Sequence, residues 1–237
     1  MPVPDEYHEH AVGEQPTNVL ILPGFTMVEK VTPNLVPDLI RYFVDRSATT
    51  TTPLGPQQKS SSGSGPGEEE QDKNSQRDIT SLTPLRSVPC PHAAVILLCS
   101  HRTRDARCGQ SAPLLRREFE RHLRPLGLQR DLEDNRPGGV GIYFINHVGG
   151  HKYSANVFVY RRRNFDWYKS EANNESAEGG GEKATEDEGA AQGVWLARVR
   201  PEDCENIVKF TILKGKVVKP RSQLRGGFDR ERKLVSW

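Results

Sequence analysis

Residues 47–80 contain no aromatic side chain and consist mainly of Ser, Thr, Gly, Pro, Gln and charged residues. Such a stretch cannot bury enough apolar surface to offset the entropy of ordering it, so it reads as a flexible linker. A second polar stretch, residues 169–192, holds seven acidic residues, two lysines and the triplet Gly179-Gly180-Gly181. It lies between two strand-like runs and reads as a loop insertion within a domain. The low apolar content, 35% of 237 residues, is then explained as a compact core diluted by polar segments.

Several classes are excluded. No apolar run approaches the roughly 20 residues of a membrane-spanning helix. A formal net charge of +2 gives no argument for a nucleic-acid binder. Four cysteines are too few for a disulfide-stapled secreted scaffold. Residues 1–10 carry three acidic residues and no Lys or Arg, the wrong charge for a secretory signal or a mitochondrial presequence. The expectation is a soluble intracellular protein.

Before the linker, Val19-Leu20-Ile21-Leu22 reads as a buried strand ended by Pro23-Gly24. A helix follows over 34–44, its apolar stripe Leu35, Val36, Leu39, Ile40 and Phe43. One strand and one helix make a poor independent domain, so residues 17–46 are expected to pack on the C-terminal part. After the linker, 93–98 is a continuous apolar run suited to a buried strand. A polar loop is expected over 99–110, then a helix capped by Ser111 and starting near Pro113, with Leu115, Phe119, Leu123 and Leu126 as its stripe. Strands are expected at 141–146, 156–160 and 194–199. Pro201 then opens a helix with Cys204, Ile207, Val208 and Thr211 on one face, ended by Gly215. The order strand, helix, strand, strand, strand, helix predicts an α/β (α+β) chain with a thioredoxin-like layer, a small mixed sheet with flanking helices. Cys204 belongs to the core face of its helix.

Four residues stand out as a metal-ligand set. Cys99 and Cys108 are separated by eight residues, and His147 and His151 by Val148-Gly149-Gly150. Each pair sits where a predicted strand gives way to a loop, the end at which open sheets present binding groups. Thiolates and imidazoles suit zinc, copper or an iron–sulfur cluster better than calcium or magnesium. Zinc-finger thiols lie two to four residues apart with the histidines on a helix. The wide thiol spacing, the glycines between the histidines and the 38 residues from Cys108 to His147 exclude that compact fold. A structural zinc site built from the same four ligands stays open as the alternative.

The segment Cys99-Ser100-His101-Arg102-Thr103-Arg104-Asp105-Ala106-Arg107-Cys108, with His147-Val148-Gly149-Gly150-His151-Lys152-Tyr153, resembles the fungal sucrase/ferredoxin-like family. The run from Gly193 to Asp203 is similar to that family's closing strand and helix, and residues 18–44 are similar to its branch named for altered inheritance of mitochondria. The resemblance implies a thioredoxin-like ferredoxin domain over 89–215. It also implies a 2Fe–2S cluster with Cys99 and Cys108 on one iron and His147 and His151 on the other. Neutral imidazoles in place of thiolates would set the potential above that of an all-cysteine plant-type ferredoxin. The implied role is electron transfer or redox sensing with an unidentified redox partner protein, and not enzyme catalysis. A glycosidase needs two positioned carboxylates, and no such pair is evident.

The remaining segments are 1–16, expected to be disordered, a linker taken as 47–88, and a basic tail over 216–237 with seven Lys or Arg. The ending Val235-Ser236-Trp237 resembles the tripeptide by which clients are presented to the cytosolic iron–sulfur assembly machinery, an apolar anchor beside a carboxylate. No nucleic acid and no membrane partner is expected. The expected location is the cytoplasm, with the mitochondrion as the alternative.

Overall fold

A computed structural model of the chain describes residues 14–54, 79–131, 134–147, 152–163, 165 and 189–235. The chain divides into two compact units, one of residues 1–49 and 56–90 and one of 50–55 and 91–237.

In the smaller unit, β1 (Thr17–Ile21) and β2 (Thr26–Val31) form an antiparallel hairpin, and β3 (Arg86–Pro89) adds to the free side of β2. Helical segment α1, residues 33–44, follows β2. Ile21, Val28, Val31, Leu39 and Leu85 make a cluster of their own. Two of these strands escape a pattern reading for a physical reason. Val28 and Val31 are both buried although three residues apart. Lys30 between them has φ 53° and donates its backbone N–H to Asn18 Oδ1 at 3.1 Å. This left-handed residue breaks the two-residue period that marks a strand. β3 lies inside the stretch read as linker and has one large apolar side chain, Val88. Of the predicted α1 stripe, Val36 and Ile40 face solvent.

The larger unit holds a mixed six-stranded sheet in the order β5-β6-β4-β7-β8-β9. Its strands are β4 (Ala94–Cys99), β5 (Gln129–Arg130), β6 (Val140–Ile145), β7 (Val157–Arg162), β8 (Ala190–Leu196) and β9 (Leu224–Asp229). β6 runs parallel to β4, whereas β7 is antiparallel to β4 and β8 to β7. Helix α2 (Ala106–Leu123) connects β4 to the β5–β6 pair, and α3, residues 201–212, follows β8. Both helices pack on one face of the sheet. Alternate residues Ala94, Ile96 and Leu98, Val140 and Ile142, Val157 and Val159, Val194 and Leu196 meet Leu115, Phe119 and Leu123 of α2 and Cys204, Ile207, Val208 and Ile212 of α3. The other parity carries aromatic pairs, with Phe158 stacked on its register partner Trp195 at 5.3 Å and Tyr160 tilted against Phe228. The strand–helix–strand unit followed by a hairpin and a closing helix is thioredoxin-like.

Several boundaries differ from the sequence reading. β8 begins at Ala190, within the stretch read as insertion, because Gln192 is buried with its amide donating to Gly215 O and Asp229 Oδ2 at 3.1 Å each. Much of the basic segment expected to be a solvated tail is structured. It forms helix α4 (Pro220–Gln223) and strand β9, which pairs with β8. Arg230 is buried there, its guanidinium donating to the carbonyls of Thr52, Pro53 and Ala190 at 2.7, 3.2 and 2.8 Å.

Candidate metal centre

Strand β4 ends on Cys99, which is buried, with its backbone N–H donating to Asn156 O at 3.1 Å. Ser100 leaves the strand by giving both its N–H and its hydroxyl to Ile145 O, at 3.0 and 3.1 Å. The loop is shorter than the sequence suggested. Helix α2 starts at Ala106, capped by Asp105, whose carboxylate accepts from Arg107 N at 3.0 Å and pairs with the Arg107 guanidinium. That pairing holds the Asp105 carboxyl below the usual carboxylate range. Cys108 therefore lies in the first turn of α2, fully buried, and not in a loop.

The expected start near Pro113 is corrected by the same observation. Pro113 is inside the helix and leaves Gly109 O without its helical donor, while Ser111 Oγ donates backward to Cys108 O at 3.2 Å rather than capping. Gly109 allows the loop to close. A Cβ at 109 would lie 2.6 Å from Arg102 Cβ and 2.8 Å from Arg102 Cα.

Cys99 is the register partner of Ile145 on the parallel strand β6, and such strands run about 4.8 Å apart. His147 follows two residues later, half-buried, with its N–H donating to Asn146 Oδ1 at 2.7 Å. The paths to Cys108 and to His147 thus leave the sheet from adjacent positions. His151, with Val148, Gly149 and Gly150, lies outside the described residues.

The chain beyond it is firmly held. Buried Asn156 donates from Nδ2 to Tyr153 O at 2.8 Å and accepts from Trp195 Nε1 at 2.8 Å. Arg198 N–H donates to Ser154 O at 2.9 Å. The Tyr153 ring carries the guanidinium of Arg198 at 3.6 Å and that of Arg225 at 4.3 Å from its centroid. Asn156 thereby joins Cys99, the chain after the histidine pair and β8. Sequence reasoning missed it, since an asparagine ahead of a strand has no pattern that signals such a role.

None of the four cysteines forms a disulfide. Cys204 sits in the core as expected, its Sγ 3.7 Å from Arg200 O, and burial pushes its thiol up to about 12. Cys90 is buried in the smaller unit, its N–H donating to Phe25 O at 2.7 Å. Among the described residues no group of three or more His, Cys, Asp or Glu side chains converges on one point. Cys99, Cys108 and His147 are thus not brought together as a three-donor group, although thiols and imidazoles are donor types that would suit an iron–sulfur centre. Val235 is exposed, and Ser236 and Trp237 lie outside the described residues.

A family model described as sucrase/ferredoxin-like matches residues 2–226. The chain belongs to that family. It is 54% identical over 69 residues to "Actin patches distal protein 1" of Saccharomyces cerevisiae, a match covering 29% of this chain and 22% of that protein. It is 32% identical over 128 residues to "Altered inheritance of mitochondria protein 32" of Clavispora lusitaniae, covering 54% of this chain and 33% of that protein. The protein of the same name from Meyerozyma guilliermondii is 32% identical over 132 residues, 56% of this chain and 34% of that protein. The matched stretches thus span a third or less of these fungal relatives' lengths, to within a percent. No solved structure matches. Among the described residues, no helix is long and apolar enough to cross a membrane.

Proposed function

We propose that this ferredoxin-like domain binds a 2Fe–2S cluster through Cys99, Cys108, His147 and His151 and works as an electron-transfer or redox-sensing protein rather than an enzyme. The observation that carries the reading is the placement of two buried thiols across a six-residue loop, beside the end of the strand that leads to His147. Cys99 and Cys108 would supply the anionic donors and the histidines the neutral ones. The cluster, when bound, supplies reversible one-electron chemistry, with a potential raised by neutral ligands. Cys108 stands in the first turn of an 18-residue helix, where the macrodipole favours negative charge. Hydrogen bonds of Ser100, Asp105 and Asn156 hold the chain around Cys99 and at the start of α2, which supports the reading.

In this reading the protein works in the cytoplasm; the word mitochondria in the relatives' name raises the alternative, and cell fractionation separates the two.

Ligand substitutions test the assignment. Cys99→Ser, Cys108→Ser and His147→Ala should each abolish or destabilise iron binding, whereas Cys90→Ser and Cys204→Ala should retain it. Iron retained by all three ligand variants, or lost equally from the two controls, would sink the proposal. The same four residues holding zinc and no iron would convert the site to a structural one.

A further inference from the structure

Cys99, Cys108 and His147 share their end of the sheet with a group of cations that have no carboxylate partner among the described residues. β4, β6 and β8 finish at this end, while β7 and β9 begin there, so residues 100–105, 146–147, 152–156 and 197–200 and the start of β9 are gathered together. Arg102 and Arg104 come from the first loop, Lys152 from the second, Arg198 from the third and Arg225 from β9. The first four are exposed and Arg225 is half-buried. Among the described residues, none of the five has a carboxylate partner. The acids of the same region are already engaged, Asp105 by Arg107, Glu202 by Arg200 and Asp203 by Lys219.

Arg198 is also held in a left-handed conformation, φ 57°, in which an L residue is strained. Its N–H bond to Ser154 O and its contact with Tyr153 retain it there.

We infer that this end of the sheet is the docking surface for an acidic face of a redox partner protein. The inference rests on the cluster reading for the nature of the partner, since a cluster at this end of the sheet would pass electrons to or from a protein that docks there with a redox centre of its own. The arrangement does not favour nucleic acid, since the Tyr153 ring is already occupied by two guanidinium groups and is not open to stack on a base. Cations drawn from four separate segments, with no carboxylate partner among the described residues, raise the encounter rate with an acidic surface, an effect that salt screens.

The test uses the full chain and two kinds of probe. A glutamate-rich decapeptide, titrated at low salt, should bind the protein, and the triple variant Arg102→Glu/Arg104→Glu/Lys152→Glu should weaken that binding at least tenfold. Arg104→Glu alone, at an exposed position, gives a smaller loss and serves if the triple variant does not fold. In the second assay the reduced protein gives one electron to hexacyanoferrate(III), yielding hexacyanoferrate(II), or one electron to the cationic tris(phenanthroline)cobalt(III). The anionic oxidant should react faster, lose that advantage as salt rises, and become the slower one in the triple variant.

A peptide that does not bind, or binds the variant equally well, overturns the inference. So does sedimentation with phosphatidylserine vesicles by a chain that ignores the peptide. Peptide binding as expected by a protein that holds no iron would leave the basic surface standing and remove the cluster reading instead.

Discussion

Asn156 has one side chain and two obligations. Its amide satisfies the Tyr153 carbonyl and the Trp195 indole, both at 2.8 Å, while its backbone oxygen accepts from Cys99, a ligand in the proposed function. Asn156→Ala would leave an indole N–H and a carbonyl without their partners in a buried setting, a loss of about 3 kcal/mol that denaturant unfolding would measure. The visible absorption of the iron-loaded protein should shift as well, because the chain on both sides of the site loosens; an unaltered spectrum and unfolding midpoint would refute this role. His92 supplies a pH dependence. It is buried, with Nε2 2.9 Å from the Tyr143 hydroxyl, and burial followed by the Arg130 charge lowers its pKa from 6.5 to about 4. The unfolded chain takes up the proton near 6.5 and the folded chain only near 4. Stability from this group is therefore complete above about 6.5 and falls as pH drops toward 4, by at most about 1.4 kcal/mol per unit. Unfolding midpoints followed over that window in the native protein and in His92→Gln should show the extra slope in the native protein alone. At this scale the sequence exposed residues whose chemistry is rare, such as the paired thiols and imidazoles. It concealed residues such as Asn156, His92 and Arg230, whose roles exist only through partners distant in the chain.

Helix α2 shows how an element can be recognised while its beginning is misplaced. Leu115, Phe119 and Leu123 of the stripe are buried as their spacing requires, whereas Leu126 lies in a turn past the end of the helix and is exposed. The start moved back because Asp105 is a competent cap and Pro113 is tolerated inside the helix, two facts that a reading of proline as a helix opener sets in the wrong order. The shift matters chemically, since it puts Cys108 in a helical turn and Gly109 against the loop. Gly109→Ala weighs two effects of opposite sign. Alanine would favour an open helical position by about 1 kcal/mol. Its Cβ would instead fall 2.8 Å from the backbone of Arg102, which cannot move aside as a side-chain tip can. The clash should win, giving a net loss of about 2 kcal/mol and weaker iron retention. A Gly109→Ala protein as stable as the parent would mean that the 100–105 loop is free to relax. Strands were less legible than helices where local geometry interrupts their period, as at Lys30, or where polar residues are satisfied by main-chain carbonyls, as at Gln192.

The whole molecule follows from where its apolar residues allow layers to form. One parity of β4, β6, β7 and β8 meets two helices, and that single packed face fixes the thioredoxin-like topology that the order of sequence elements predicted. The sixth strand was hidden in a segment whose seven basic residues suggested solvent, since β9 pairs through its backbone and the charge count says nothing about that pairing. The same topology gathers Cys99, the chain entering α2 and the chain leaving β6 at one end of the sheet, so the site is a consequence of the fold and not an addition to it. The most direct measurement is an optical spectrum of anaerobically purified protein with iron, sulfide and zinc quantified on the same sample. The account predicts visible charge-transfer bands that bleach on reduction, with about two irons and two sulfides per chain. A colourless protein carrying one zinc, or one that stays colourless and iron-free after anaerobic reconstitution, would contradict it.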